Sequence, residues 1–210
     1  VLDKGRDVCV QSQTGTGKTA AFLISIFQLL LTHDDFKGKK LDTTKWNLIN
    51  TRPDQRASAW NRHMINDPGV FSLKKGCLYL TAIKNPGIEN DPRPYLTGGV
   101  DSKGKFFYLY GKAEIRMKKE CAQGAWPALW ILPEESFYGP WPHSGELDIM
   151  EHLNFDENIH YNVHSRYVDV HKIRSNPRSG NSQTKADVTR WNIYGLEWYP
   201  DVLIWTLNGK

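Results

Sequence analysis

The nine residues 144–152 read Ser144-Gly145-Glu146-Leu147-Asp148-Ile149-Met150-Glu151-His152, with three carboxylates set among apolar residues. Side chains on a β-strand alternate between two faces, so Glu146 and Asp148 share one face and Glu151 would point to the other. One extra residue between Asp148 and Glu151, a β-bulge, returns Glu151 to the acidic face. The spacing therefore predicts a bulged strand that carries three acids on one face and turns its apolar side chains toward a core.

Paired carboxylates on one strand face are the reactive groups of many enzymes that hydrolyse glycosidic bonds. A separation of about 5 to 5.5 Å belongs to the retaining reaction, in which one group is the nucleophile and the other is first the acid and then the base. Glu146 and Glu151 are predicted to have these roles, and Asp148 between them would couple their titrations and help to hold a proton. Taken alone, the acidic string also fits a solvated strand face, so the surrounding residues decide between the two interpretations.

Tryptophan is frequent in this chain, with eight residues among 210, and several lie close to the acidic strand. Trp126, Ala128 and Trp130 alternate along the segment 124–133 and are predicted to share one face of a strand. Trp141 comes just before the acidic strand. Each ring taken singly fits core packing equally well, but a group of tryptophans beside paired acids favours a groove that stacks on sugar rings.

A second alternating run follows the acidic strand. His160, Asn162 and His164 alternate with Tyr161 and Val163. The pattern predicts a strand with hydrogen-bonding groups on one face and apolar side chains on the other.

Six segments occur in order between Asp34 and Lys210: 35–38, 41–46, 110–118, 124–133, 145–151 and 194–198. Together they resemble glycoside hydrolase family 16, the group of laminarinases, lichenases and agarases. The bulged spacing from Glu146 to Glu151 is similar to the laminarinase and agarase side of the family and differs from the lichenase branch, which lacks the extra residue. The resemblance implies an all-β fold, a concanavalin-like jelly-roll β-sandwich whose concave sheet carries the substrate cleft.

The resemblance also implies roles for single residues. Glu146 would be the nucleophile, Glu151 the acid and base, and Asp148 the assisting acid. His164 would lie near the bond that is cleaved. The substrate subsites would be lined by Trp126, Trp130, Trp141 and Arg116.

The implied activity is hydrolysis of a β-1,3-glucan such as laminarin, or of a mixed β-1,3/1,4-glucan, by a retaining endo-glycosidase. Agar-type galactans are an open alternative, because sulfate groups would find basic partners in Arg116, Lys172, Arg174 and Arg178. A non-catalytic sugar-binding sandwich is another alternative, and the presence of both glutamates argues against it. The chemistry requires no metal or other cofactor, and the resemblance allows a structural calcium away from the cleft.

The first 33 residues have a different character. The segment 5–10 is predicted to form a short strand, 11–17 a turn and 18–31 an apolar helix. Gly15, Gly17, Lys18 and Thr19 follow the pattern of a loop that holds a nucleotide phosphate and its Mg²⁺ at the N-terminus of a helix. Residues 2–31 resemble the first ATPase motif of DEAD-box RNA helicases.

A working nucleotide site needs more than this loop. NTPases of this type add an acidic strand for Mg²⁺, and the sequence contains neither an Asp-Glu-Ala-Asp string nor a matching arginine motif. A strand, a loop and a helix alone bury too little surface to hold a site. Residues 1–33 are therefore interpreted as an orphaned helicase fragment, an incomplete domain before a catalytic domain over 34–210, and useful hydrolysis of ATP with Mg²⁺ is not expected. An ATP-binding helicase remnant stays as an alternative function of the chain.

A secretion signal is an alternative interpretation of the apolar run 20–31. The run lacks a small-residue cleavage site before Asp34 and follows a long polar, glycine-rich stretch. It is also too short to span a membrane. The phosphate-loop interpretation is therefore preferred, and the localisation stays open, although the resemblance implies an extracellular or periplasmic parent enzyme.

The composition is that of an ordinary globular protein, with 24% charged and 40% hydrophobic residues. From Trp46 onward, short alternating runs such as 78–83 and 106–110 are broken by the clusters Asn85-Pro86-Gly87 and Asn90-Asp91-Pro92, which is the pattern of a β-sandwich. A net charge of +4 without a dense basic run gives no indication of nucleic-acid binding. The expected partner is a polysaccharide, with no membrane contact and a monomeric state.

The C-terminal residues predict an unfinished hairpin. The segment 202–207 has the pattern of a strand, Asn208-Gly209 has that of a two-residue turn, and the sequence ends at Lys210. Members of the family continue through further strands, so a sandwich truncated at its C-terminus is expected. An open apolar edge of this kind favours aggregation.

Overall fold

The computed structural model of the protein describes residues 34–173 and 181–210. The strand, loop and helix expected over 1–33 lie outside the described residues. Thirteen β-strands and one short π-helical turn make up the regular structure of the described ranges, so the all-β fold class is confirmed. No helix within those ranges has the length and apolar character that a membrane crossing requires.

The described residues divide into two compact units, one within 31–107 and one within 108–210. The first unit holds three two-stranded antiparallel sheets. They pair β1 (Asn47–Leu48) with β6 (Val100–Asp101), β2 (Phe71–Lys74) with β3 (Cys77–Leu80), and β4 (Ala82–Lys84) with β5 (Tyr95–Thr97). Ile65, Val70 and Leu96 form the small apolar core of this unit.

The turn clusters between β4 and β5 lie where the sequence predicts them. The Asn85 side chain accepts hydrogen bonds from the backbone N–H groups of Gly87 (2.9 Å) and Ile88 (3.0 Å). Gly87 and Asn90 have positive φ angles of 96° and 60°, a conformation that favours these residue types. The side-chain hydrogen bonds and the backbone angles therefore both support the predicted turn between β4 and β5.

The run 106–110 is not a strand, although its alternation predicts one. Tyr110 has a φ of 65° and turns the chain just before β7 (Gly111–Met117). Tyr108 and Tyr110 pack edge-on against Trp198, with ring centroids 6.3 Å and 5.5 Å away. The alternation here reflects aromatic contacts at the entry to β7 and no pairing with a neighbouring strand.

The second unit consists of two antiparallel sheets. The four-stranded sheet has the order β11 (Asn181–Lys185), β10 (Asn158–His164), β9 (Glu146–Glu151) and β8 (Ala128–Ile131). The three-stranded sheet has the order β13 (Leu203–Leu207), β12 (Asn192–Trp198) and β7. The π-helical turn Arg166–Val170 follows β10.

One apolar core lies between these two sheets. The four-stranded sheet contributes Ile149, Met150, Ile159 and Tyr161, and the three-stranded sheet contributes Tyr194 and Leu196. Ala113, Ile115 and Met117 of β7 pack against the same cluster. Because alternate residues of each strand enter this core, the residues between them must face outward. The sandwich predicted from the sequence is confirmed.

Close pairing of β12 and β13 depends on a glycine and on a tight turn. A Cβ atom at Gly195 would lie 2.3 Å from Thr206 Oγ1, so a larger residue would force the Thr206 side chain or the strand to shift. After β13, Asn208 and Gly209 have φ angles of 55° and 76°, and two positive values in succession are typical of a type I′ turn. The predicted two-residue turn is therefore confirmed.

Candidate active site

The acidic row, defined as Glu146, Asp148 and Glu151, lies on β9 together with the predicted bulge. On β8, Leu129 pairs with Met150 and Trp130 pairs with Asp148, so Ile149 is the extra residue of β9. The side chains of Ile149 and Met150 are both buried in the core. The bulged strand with its apolar side chains turned inward is therefore confirmed.

The neighbouring strand β10 brings three polar side chains to the acidic row. His160, Asn162 and His164 lie opposite Glu151, Asp148 and Glu146, respectively. Side chains directly opposite each other on antiparallel strands project from the same face of the sheet. The predicted alternation along β10 therefore supplies hydrogen-bonding groups to the outer face that carries the acids.

Asp148 is a buried member of the acidic row whose backbone contacts the facing sheet, and this environment sets its protonation. Its side chain is only 2% exposed, and its backbone carbonyl accepts a 2.8 Å hydrogen bond from Trp205 Nε1 of the facing sheet. On the side of the acidic row, burial raises the pKa of Asp148 to about 8, and the negative charges of Glu151 and Glu146 add to the effect. Asp148 is thus a neutral acid at pH 7, able to donate a hydrogen bond to Glu146.

We expect Asp148→Asn to remove a pH dependence of stability. The pKa of Asp148 is about 8 in the folded protein against an ordinary value of 3.8, so the folded state binds the extra proton between these values. The free energy of unfolding therefore falls as the pH rises through this window, because the unfolded chain has released a proton that the folded state still binds. The asparagine variant has no such titration, so its free energy of unfolding should rise relative to that of the wild type as the pH increases across this window.

Urea unfolding of both proteins at pH 5 and pH 8 measures this difference. Asp201→Asn is the matched control, because Asp201 is exposed. A stability difference between wild type and Asp148→Asn that is the same at both pH values would contradict the assignment.

Glu146 is oriented by a tryptophan from the loop before β9. Trp141 Nε1 donates a 2.6 Å hydrogen bond to Glu146 Oε2. The indole lies 5.5 Å from the His164 imidazole, measured between ring centroids, and remains 59% exposed. Gly145, with a φ of 91°, leads the chain from this loop into β9. One side chain thus both fixes the carboxylate and offers a flat surface to a ligand.

Glu151 is oriented in a parallel way. Trp126 Nε1 donates a 2.8 Å hydrogen bond to Glu151 Oε1, and Asn162 Nδ2 donates to Glu151 Oε2. Trp126 is 54% exposed. Each outer carboxylate of the acidic row is therefore held by the N–H group of an exposed tryptophan.

His164 lies between the acidic row and a further carboxylate. Its Nε2 atom is 3.4 Å from Asp148 Oδ2, and its Nδ1 atom is 3.2 Å from Asp169 Oδ1. Asp169 is fixed in turn by a 2.7 Å hydrogen bond from the Ser165 backbone N–H. Asp169 and Asn162 are not among the site residues that the sequence predicts. The alternation along β10 was a usable signal for Asn162, whereas Asp169 has no comparable pattern.

Trp130 and Arg116 differ in their placement. Trp130 pairs with Asp148 and is partly buried on the face of the acidic row. Arg116 lies on the outer face of the other sheet, because Ala113, Ile115 and Met117 of the same strand enter the core. Its guanidinium carbon is 4.1 Å from the centre of the Trp191 ring.

The prediction that Arg116 lines the cleft beside the acidic row is therefore wrong. Lys172 is exposed, while Arg174 and Arg178 lie outside the described residues, as do the predicted nucleotide-binding residues Gly15, Gly17, Lys18 and Thr19.

Comparison with known families agrees with this geometry. Residues 57–210 match the sequence profile of glycosyl hydrolases family 16, and this match covers well over half of the chain. The chain belongs to glycosyl hydrolases family 16. Residues 1–45 match the DEAD/DEAH box helicase profile, so the resemblance of the N-terminal segment is also confirmed.

Individual relatives within family 16 differ in their named activities. The chain is 33% identical to the keratan-sulfate endo-1,4-beta-galactosidase of Sphingobacterium multivorum, over 86% of this chain and 42% of that protein. It is 34% identical to the beta-glucanase of Rhodothermus marinus, over 55% of this chain and 41% of that protein. It is 33% identical to the glucan endo-1,3-beta-glucosidase of Cryptopygus antarcticus, over 84% of this chain and 65% of that protein. The chain spans less than half the length of the first two relatives.

Solved family 16 structures share the sandwich. The laminarinase catalytic domain from Thermotoga maritima MSB8 superimposes with a TM-score of 0.69 at 26% identity, over 84% of this chain and 72% of that one. The endo-beta-1,3-glucanase from Pyrococcus furiosus superimposes with a TM-score of 0.69 at 25% identity, over 85% of this chain and 71% of that one. The jelly-roll architecture expected from the sequence is therefore confirmed.

Proposed function

We propose that the protein is a retaining endo-glycosidase that hydrolyses β-1,3-glucan or mixed β-1,3/1,4-glucan. The observation that carries this proposal is the acidic row itself. Glu146 and Glu151 project from one face of a rigid, bulged strand on either side of a buried Asp148. A retaining double displacement at an anomeric carbon requires two carboxyl groups, one as nucleophile and one as acid and base.

The reaction has two steps. In the first, Glu151 gives a proton to the glycosidic oxygen while Glu146 attacks the anomeric carbon, so the leaving sugar departs and a glycosyl ester forms on Glu146. In the second, Glu151 takes a proton from water, and the water oxygen displaces Glu146 from the same carbon. Each step inverts the anomeric carbon, and the product therefore has the configuration of the substrate.

Asp148 assists as a neutral acid. Because its pKa is raised to about 8 by burial and by the two neighbouring glutamates, it adds no third charge at pH 7 and donates a hydrogen bond to Glu146. That hydrogen bond keeps Glu146 ionised before attack and stabilises it again as the leaving group of the second step. The N–H group of Trp141 supports the same carboxylate.

The exposed tryptophans favour a neutral polysaccharide as substrate. Trp126 and Trp141 each combine a hydrogen bond to a catalytic glutamate with more than half of their surface exposed, so they present apolar rings at the point of cleavage. The galactan alternative drew on four basic residues, and one of them, Arg116, lies on the outer face of the other sheet. Relatives and solved structures named as β-glucanases and laminarinases support glucan as the polymer.

Hydrolysis of laminarin by the purified chain tests the proposal. We expect release of reducing ends, with the β-anomer appearing first in proton NMR spectra before mutarotation supplies the α-anomer. Mixed-linkage glucan and agarose under the same conditions define the substrate class. First appearance of the α-anomer would contradict the retaining reaction, and binding of laminarin without product would favour a non-catalytic sandwich.

A further inference from the structure

Three side chains at the acidic row are arranged as ligands for a metal ion. Glu146, Asp148 and His164 each offer one donor atom, and these atoms all lie within 4.8 Å of one another. Carboxylate oxygen and imidazole nitrogen are the donors that zinc and related divalent transition metals accept, usually three from the protein with a position left open.

The buried carboxylate is the second observation. Asp148 is 2% exposed, and within the described ranges its Oδ2 atom has no hydrogen-bond partner. This atom lies 3.4 Å from His164 Nε2. Two ligands of a tetrahedral zinc ion with bonds of about 2.0–2.1 Å are separated by roughly 3.3–3.4 Å, so one ion reaches both atoms without movement of the backbone.

The orientation of His164 fits the same interpretation. An ionised carboxylate can accept hydrogen bonds but cannot donate them. The 3.2 Å contact with Asp169 Oδ1 therefore assigns the proton to His164 Nδ1. The Nε2 lone pair then points at Asp148. Metal-binding histidines commonly donate their second ring N–H to a carboxylate in this way, and Asp169 is itself fixed by the Ser165 N–H at 2.7 Å.

We propose that the acidic row also binds a divalent transition metal ion of the zinc type, through Glu146, Asp148 and His164, and that the ion reversibly blocks the enzyme. A bound ion displaces the proton of Asp148, because a ligand carboxyl group must be deprotonated. It also neutralises Glu146 and occupies the space into which the anomeric carbon must move. The binding is independent of the proposed function, whereas the inhibition rests on Glu146 being the nucleophile.

Calorimetric titration of the metal-free protein with zinc chloride tests the binding. We expect one ion per chain in the wild type and loss of that binding in His164→Ala. His160→Ala is the matched control, because His160 lies on the same face of the same strand and outside the three-residue cluster, and it should bind zinc as the wild type does. Asp169→Asn should weaken binding by about 10- to 100-fold, and it carries the test if His164→Ala does not fold.

Cobalt absorption spectra identify the ligands. The proposed site contains no sulfur, so cobalt should give visible d–d bands without the near-ultraviolet thiolate band that binding at the free Cys77 or Cys121 would produce. Zinc should also inhibit laminarin hydrolysis over the same concentration range in which it binds. Absence of binding, equal binding in His164→Ala, or a thiolate band would overturn the proposal. Binding without inhibition would preserve the metal site and count against Glu146 as nucleophile.

Discussion

Glu146→Gln is expected to lower the turnover of laminarin by on the order of 10⁴-fold or more, because an amide cannot form the glycosyl ester on which the double displacement depends. The substitution is nearly isosteric. The amide oxygen of the new side chain can still accept the hydrogen bond that Trp141 Nε1 now donates to Oε2 at 2.6 Å, so the exposed indole should keep its position. Affinity for laminarin oligosaccharides should therefore stay close to that of the wild type.

Reducing-end release and calorimetric binding separate the two effects. Glu135→Gln is the matched control, since it makes the same chemical change at an exposed residue of the loop between β8 and β9, and it should retain wild-type turnover. Retention of more than a small fraction of turnover by Glu146→Gln would exclude Glu146 as the nucleophile. Loss of binding together with turnover would point instead to a structural role.

The bulge in β9 was predictable because strand geometry has a period of two. Three acids that must share a face cannot do so at the spacing 146, 148 and 151 unless one residue is extra, and Ile149 is that residue. The same alternation predicted the outward face of β10. Where the chain obeys strand periodicity, local sequence is enough to say which side chains lie together.

Strand periodicity shows which residues face outward, but it does not show to which of the two sheets a strand belongs. The alternation along β7 correctly separates Arg116 from the core-facing residues, but a sandwich has two outer faces and the local pattern is the same for both. Only the pairing of β7 with β12 shows that Arg116 belongs to the face opposite the acidic row. The prediction of a strand over 106–110 was wrong for a related reason, because aromatic packing on Trp198 produces the same alternating spacing as a strand.

The contacts that set the orientation and pKa of the site residues could not be predicted from the sequence, because they form only between segments that the folded chain brings together. Trp205 donates a hydrogen bond to the carbonyl of Asp148, 57 positions away in the sequence, and the raised pKa of Asp148 results chiefly from burial in the folded protein. Asp169 meets His164 through the irregular turn after β10. Residue identity predicted the three acids, whereas their protonation and orientation follow from tertiary packing.

Glu151→Ala is expected to lower laminarin turnover by about 10²- to 10⁴-fold, because the departing sugar oxygen loses its proton donor. The first step should be nearly unaffected on an aryl β-glycoside with an acidic phenol, since that leaving group needs no proton. The glycosyl ester on Glu146 should then accumulate, because no base remains to activate water. A burst of phenol followed by slow turnover, measured by rapid mixing, is the expected signature.

Sodium azide distinguishes the two glutamates by the anomer that it forms. In Glu151→Ala, azide should enter the space left by the carboxyl group between Trp126 and Asn162 and attack the glycosyl ester, which gives a β-glycosyl azide after two inversions. In Glu146→Ala, azide should take the place of the nucleophile and displace the leaving group directly, which gives the α-azide after one inversion. Opposite anomers from the two variants would assign both roles at once. The reverse pattern would exchange them, because each product records the side of the sugar ring from which a carboxylate has been removed.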